Sequence, residues 1–86
     1  MDKRILNLRV EIDEIDAKII TLLKSRMDVS RKVGELKAAL HIPVEDKGRE
    51  EEIIQRLGEL ADRNLKEEQL IRIFTAVFKS SKQIQK

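Results

Sequence analysis

Three polar residues lie where the first predicted helix should be apolar. At about 100° of rotation per residue, Arg26, Ser30 and Lys37 fall in the middle of a face otherwise formed by aliphatic side chains. The aliphatic positions of that face are Leu8, Ile12, Ile15, Ile19, Leu22, Leu23, Val33 and Leu40. A helix that only packs against its neighbours would carry Leu or Ala at the polar positions, so we interpret these three residues as candidates for a functional site.

The two later predicted helices also carry polar groups within their apolar faces. Asp46 and Glu50 point along the stripe of the second helix, with Arg49 at its edge, while Ser81 is central in the third and Gln85 lies near its edge. One interpretation is structural, with the cations of the first helix paired to these carboxylates or extended toward solvent. Taken together, the residues predict a cationic cavity inside a helical bundle, which suits a small carboxylate.

The spacing of the cations along the first helix limits how they can share a ligand. Arg26 and Lys37 are three turns apart, roughly 16 Å along the axis, so two long side chains could clamp a small molecule between them. Arg9 precedes Arg26 by 17 residues. This separation is roughly 25 Å of helix, too far for one small ligand. If both arginines serve one site, Arg9 must come from a partner chain and the cavity lies at a dimer interface.

The composition excludes several classes of function. The 86 residues form one domain with a small core, and 18 basic and 16 acidic residues nearly cancel to a net charge of +2. This balance and the absence of Trp and Tyr argue against nucleic-acid binding. The chain has no Cys and a single His, so we expect no metal and no cofactor. No signal peptide or membrane-spanning run is present, and we expect a cytoplasmic protein.

The helical spacing predicts an all-α chain with no domain boundary. Pro43 pushes Ile42 out of the helical region and ends the first helix, Asp46 can cap the second, and Asn64 with Glu67 could form a capping box for the third. The resulting domain of residues 1–86 has three helices at about residues 3–40, 47–62 and 66–85.

The length of the first helix predicts self-association. Thirty-five helical residues span roughly 50 Å, whereas a compact chain of this size has a radius of gyration of only about 12 Å. A straight first helix would therefore project beyond its own domain with its apolar face exposed. We predict an obligate, intertwined homodimer in which a second copy covers that face.

Several separated motifs together resemble one known family, the all-helical chorismate mutases, across nearly the full chain. The motifs are Leu8-Arg9 with Ile12-Asp13-Glu14-Ile15-Asp16, Leu22-Leu23 with Arg26, Val33-Gly34 with Lys37, Pro43-Val44-Glu45-Asp46 with Arg49-Glu50, and Ser81 with Gln85. The resemblance implies a three-helix subunit in an intertwined dimer with two equivalent sites. It also implies the rearrangement of chorismate to prephenate at the branch point toward phenylalanine and tyrosine.

The resemblance also implies a role for each polar residue. Arg26 and the partner's Arg9 would bind the two substrate carboxylates. Lys37 and Gln85 would donate hydrogen bonds to the ether oxygen of the breaking bond. Members of the family carry Gln or Glu at the last of these positions, and only a protonated Glu can donate.

The remaining candidates complete the implied site. Glu50 would accept a hydrogen bond from the substrate hydroxyl, with Asp46 close by. Ser81 would assist a carboxylate and Arg49 would line the site. The chain has room for no second catalytic or allosteric domain, so we expect a free-standing mutase or a segment of a fusion protein.

Two alternative functions remain open from the sequence. A lyase of the same fold that releases pyruvate from isochorismate would need a similar cationic cavity. A non-catalytic helical dimerisation module would need no polar residues inside the apolar stripe.

Overall fold

The computed structural model describes residues 1–86 as three α-helices without a strand. Helix α1 covers Lys3–Ala39, α2 covers Lys47–Ala61 and α3 covers Glu67–Gln85. The all-α architecture predicted from the helical spacing is confirmed. Helix α3 packs against both α1 and α2, so it holds the other two together. None of the helices combines the length and the hydropathy needed to cross a membrane.

The end of α1 turns the chain back toward the bundle. The amide of Ile42 donates to the Lys37 carbonyl at 2.8 Å and that of His41 donates to the Ala38 carbonyl at 3.3 Å. With His41 at a φ of 58°, these two hydrogen bonds form a Schellman motif. Pro43 follows and cannot continue a helix. The connector between α1 and α2 therefore leaves the helix end in a fixed direction.

The beginning of α3 differs from the prediction. The expected capping box between Asn64 and Glu67 is wrong, because the helix begins only at Glu67. Gln69 then occupies the third helical position, and its side-chain oxygen accepts a hydrogen bond from the Lys66 amide at 3.0 Å. Only this one of the two hydrogen bonds of a capping box forms, because a lysine side chain cannot accept the other, and the cap lies two residues further along the chain than predicted.

The molecule is an elongated body of 56 × 24 × 16 Å. Its radius of gyration is 16.3 Å. A compact chain of this length would have about 12 Å. Only 6 of 86 residues are buried, and the apolar ones among them are Ile53, Leu70 and Phe78. The core is therefore a small cluster between α2 and α3 and the nearby part of α1.

The first half of α1 has no packing partner within the chain. Every residue from Met1 through Leu22 is exposed, including the aliphatic positions Leu8, Ile12, Ile15 and Ile19. The accessible surface of the chain is 7444 Å². A compact monomer of the same mass would expose roughly 5,200 Å². About 2,200 Å² of surface is thus in excess of what a self-contained domain shows.

Gly34 allows α1 and α3 to meet at backbone distance. A Cβ atom built on Gly34 would lie 2.7 Å from the Cα of Gln85 and 2.8 Å from its Cβ. Such distances are too short for any side chain, so only glycine permits the last turn of α3 to lie this close to α1. By contrast, a Cβ on Gly58 would meet only the Cδ2 of Leu70, at an ordinary contact distance of 3.9 Å.

We expect opposite effects when these two glycines are replaced by alanine. Gly58→Ala should raise the free energy of unfolding by roughly 0.5–1 kcal/mol, because alanine favours a helix interior. Gly34→Ala should lower it by about 1–3 kcal/mol, because the added methyl overpacks the contact with Gln85. Urea unfolding at one fixed protein concentration measures both values. Equal stabilisation by both substitutions would contradict the close approach.

Candidate active site

A cavity of about 300 Å³ lies where the second half of α1, the connector, the start of α2 and the end of α3 converge. Its lining includes seven of the eight site residues predicted from the sequence: Arg26, Lys37, Asp46, Arg49, Glu50, Ser81 and Gln85. Ser30 also lines it. Arg9 does not, because it lies in the exposed first half of the same continuous helix. The structure thus brings together every candidate except the one expected from a partner.

Arg26 is held in place by contacts from α3. Its guanidinium donates a hydrogen bond to the Ser81 hydroxyl. The guanidinium carbon also lies 5.9 Å from the centroid of the Phe78 ring. The Ser81 hydroxyl in turn donates to the Val77 carbonyl at 2.9 Å. Desolvation lowers the pKa of Arg26, and repulsion from Arg49 adds to this, but an arginine side chain still stays charged at neutral pH.

Lys37 connects α1 to the connector. Its Nζ donates a hydrogen bond to the Val44 carbonyl at 3.0 Å. An ammonium group has three N–H donors, so two remain for other partners. Lys37 therefore anchors the wall of the cavity and still offers donors to a ligand.

Asp46 and Arg49 are engaged at the first turn of α2. The Asp46 carboxylate accepts a hydrogen bond from the Arg49 amide at 3.0 Å and so caps the helix. The Arg49 guanidinium forms an ion pair with Glu52 at 3.3 Å, and both side chains are more than half exposed. These contacts fix the turn from which Glu50 enters the cavity.

Glu50 pairs with a residue that sequence reasoning missed. The Lys82 ammonium lies 3.3 Å from a Glu50 carboxylate oxygen and 3.4 Å from one of Glu45. Its hydrogen bond to Glu50 is the main cause that raises the pKa of Lys82. Lys82 follows Phe78 by four residues and precedes Gln85 by three, so helical spacing could have placed it beside the cavity.

Gln85 presents an unsatisfied polar atom. Its side-chain Oε1 is buried and has no hydrogen-bond partner within the chain. An unpaired buried group of this kind costs about 1–3 kcal/mol, unless a ligand or water meets it. Rotation of the terminal amide by half a turn presents either the oxygen or the NH2 group at this position. The side chain can therefore donate to a ligand in the cavity.

The predicted pairing of Arg26 and Lys37 with Asp46 and Glu50 is wrong. Neither Arg26 nor Lys37 has a carboxylate within ion-pair distance, since the carboxylates of Asp46 and Glu50 are engaged elsewhere. The lining contains four cationic side chains and two carboxylates, which leaves a net charge of +2. A cavity with this charge suits a small dianion.

A second, larger groove does not share this chemistry. It runs between α2 and α3 with a volume of about 800 Å³. Its charged lining consists of Lys47 and five carboxylates, those of Glu50, Glu51, Glu59, Asp62 and Glu67. The acidic lining would repel an anion, and its apolar floor suits packing against a helix better than binding a charged metabolite.

Comparison with known proteins gives a consistent result. The family model described as "Chorismate mutase type II" matches residues 8–86. A chorismate mutase of Methanocaldococcus jannaschii is 36% identical over 87 residues, which cover 100% of this chain and 88% of that protein. A bifunctional chorismate mutase/prephenate dehydratase of Escherichia coli is 32% identical over 78 residues, which cover 90% of this chain but 20% of that protein.

A solved structure supports the same fold. A conserved hypothetical protein from Pyrococcus furiosus superimposes with a TM-score of 0.82 at 36% sequence identity, and the match covers 100% of both chains. The resemblance inferred from the separated motifs is therefore confirmed at the level of sequence and of fold. This chain belongs to the chorismate mutase type II family.

Proposed function

We propose that this chain rearranges chorismate to prephenate, binding the substrate dianion in the cavity between α1, α2 and α3. The observation that carries the proposal is that Arg26 and Lys37 lie in the cavity lining without a carboxylate partner. Burying such charges is unfavourable unless something negative accompanies them. A substrate with two carboxylates supplies that charge.

The reaction needs little from the protein beyond shape and charge. It is an intramolecular pericyclic rearrangement: the ether C–O bond breaks as a new C–C bond forms, and no proton or electron leaves the molecule. The enzyme must hold a flexible dianion in a compact reactive shape. It must also stabilise the negative charge that grows on the ether oxygen as the bond breaks.

The side chains can divide these tasks. Arg26, held by Ser81 and Phe78, is a preorganised cation for one substrate carboxylate. The free N–H donors of Lys37 can stabilise the ether oxygen, and the unsatisfied amide of Gln85 can donate a second hydrogen bond there. Each of these groups is already in place before the charge develops, which is the condition for strong electrostatic catalysis.

The first turn of α2 supports the opposite side of the substrate. Glu50 can accept a hydrogen bond from the substrate hydroxyl, and its position depends on the helix cap made by Asp46. Arg49 lines the cavity, with its guanidinium near the rim where it pairs with Glu52. This division of roles assigns orientation to α2 and charge stabilisation to α1 and α3.

A second copy of the chain is part of the proposal. Burial of the excess surface, about 2,200 Å² on each of two chains, would give an interface in the size range of obligate dimers. The exposed stripe of α1 and the apolar floor of the groove between α2 and α3 are the surfaces that such a dimer would cover. In that arrangement the partner's Arg9 binds the second substrate carboxylate.

An absorbance assay tests the function directly. Purified protein without added metal should consume chorismate and produce prephenate. The rival lyase would instead convert isochorismate to salicylate and pyruvate. A protein that turns over neither compound and binds no dicarboxylate would be a dimerisation module.

We expect Lys37→Ala to lower kcat by about 10²–10³-fold, the usual effect of losing one preorganised donor. Lys32→Ala is the matched control, because it removes a lysine from the same helix at an exposed position outside the cavity. Circular dichroism of both variants should match the wild type. Near-normal kcat for Lys37→Ala would refute its role.

Mixed dimers test whether Arg9 acts in the partner's site. Arg9→Ala and Arg26→Ala should each be nearly inactive alone. After joint unfolding and refolding in equal amounts, half of the dimers are mixed, and each mixed dimer has one intact site, so roughly one quarter of wild-type activity should return. If both arginines served a site within one chain, mixing would restore nothing.

The amide of Gln85 should make turnover insensitive to pH between about 5 and 8, because an amide donates without titrating. The only histidine, His41, lies in the turn after α1 and outside the cavity. Gln85→Glu is the matched variant, and its kcat should fall with rising pH because only a protonated carboxyl can donate. A steep loss of wild-type turnover over this range would count against the assignment.

A further inference from the structure

Lys82 is the one cation of the cavity that is paired with a carboxylate of the same lining, that of Glu50. Its ammonium contacts Glu50 at 3.3 Å and Glu45 at 3.4 Å. The Lys82 and Glu50 side chains are 26% and 27% exposed, so the pair is partly shielded from solvent. An ion pair with this burial is stronger than one on an open surface.

The pair addresses an electrostatic conflict in the proposed site. Glu50 is negative, and it lines the same cavity that would receive two substrate carboxylates. The Glu50 carboxylate and the substrate carboxylates would repel each other within one cavity, and this repulsion would weaken substrate binding. Arg26 and Lys37 make no ion pair with Glu50. The guanidinium of Arg49 is paired with Glu52. Lys82 is therefore the cation that compensates Glu50.

We propose that Lys82 is a positioning residue of the site: its ammonium neutralises and orients the Glu50 carboxylate. Glu50 can then accept a hydrogen bond from the substrate hydroxyl without repelling the substrate dianion. This inference rests on the proposed function. With Lys82 so engaged, Arg26 and Lys37 stay available for the substrate. Without Lys82, the net charge of the lining would fall from +2 to +1.

The second contact of Lys82 extends its role to the connector. Glu45 lies between Val44, whose carbonyl binds Lys37, and Asp46, which caps α2. Lys82 thus ties the connector to α3 while Lys37 ties it to α1. Since an ammonium has three donors, Lys82 can serve both carboxylates at once.

Steady-state kinetics of Lys82 variants test the proposal. Lys82→Met removes the charge but keeps much of the side-chain volume, and we expect KM for chorismate to rise by about tenfold with a smaller change in kcat. Lys82→Arg keeps the charge and should restore KM to within about threefold of the wild type. Lys79→Met removes the same charge from an exposed position of α3 outside the cavity, and it should leave both constants unchanged.

A second background shows whether Lys82 acts through Glu50. In Glu50→Gln the carboxylate is gone, so adding Lys82→Met should raise KM little further. An equal rise in both backgrounds would mean that Lys82 binds the substrate itself, and no rise in either would mean that it has no role. Each of these results overturns the proposal.

A measurement independent of turnover examines the pair itself. Because Glu50 is the main cause of the raised pKa of Lys82, Glu50→Gln should lower the pKa of its Nζ, which a nitrogen-detected NMR titration can follow. An unchanged pKa would overturn the pairing. If the wild type consumes chorismate and Lys82→Met leaves KM unchanged, only the role of Lys82 is refuted. If the wild type does not consume chorismate, the proposed function is refuted as well.

Discussion

The proposed site depends on two cations, Arg26 and Lys37, that line the cavity without a carboxylate within ion-pair distance of either. Arg26 and Lys37 would each be costly to desolvate alone, and the chain limits that cost with neutral partners: the Ser81 hydroxyl, the Phe78 ring and the Val44 carbonyl. Neutral partners fix a cation in position without cancelling its charge. The lining of the cavity therefore keeps its net positive charge.

The close approach of α1 and α3 also positions hydrogen-bond donors around the cavity. Gly34 brings the Gln85 backbone against α1, one helical turn from Lys37. A donor on α3 and a donor on α1 consequently face the same small volume. The cavity of about 300 Å³ that both residues line shows that the protein itself does not fill this space. Packing and site geometry are thus set by a single glycine.

Much of this arrangement could be predicted from the sequence, because it depends on local rules. Helical periodicity gives the three helices, and Pro43 and Asp46 mark the connector through their backbone chemistry. The cavity residues were visible because a polar group in an apolar stripe conflicts with the pattern. The role of Lys82 could not be predicted in this way, because Lys82 lies at the edge of the apolar stripe of α3, where a lysine is an ordinary residue. Its role depends on Glu50, which is distant in sequence and becomes its neighbour only through the packing of α2 on α3.

The exposed first half of α1 links the folding of the chain to its assembly. With 6 of 86 residues buried, a single chain encloses little apolar surface to set against the conformational entropy lost on folding. If a second copy supplies the rest, folding and assembly become one equilibrium, and the amount of folded protein then varies with its total concentration. In that case dilution would lower the fraction of folded chains, and activity per chain would fall with the protein concentration.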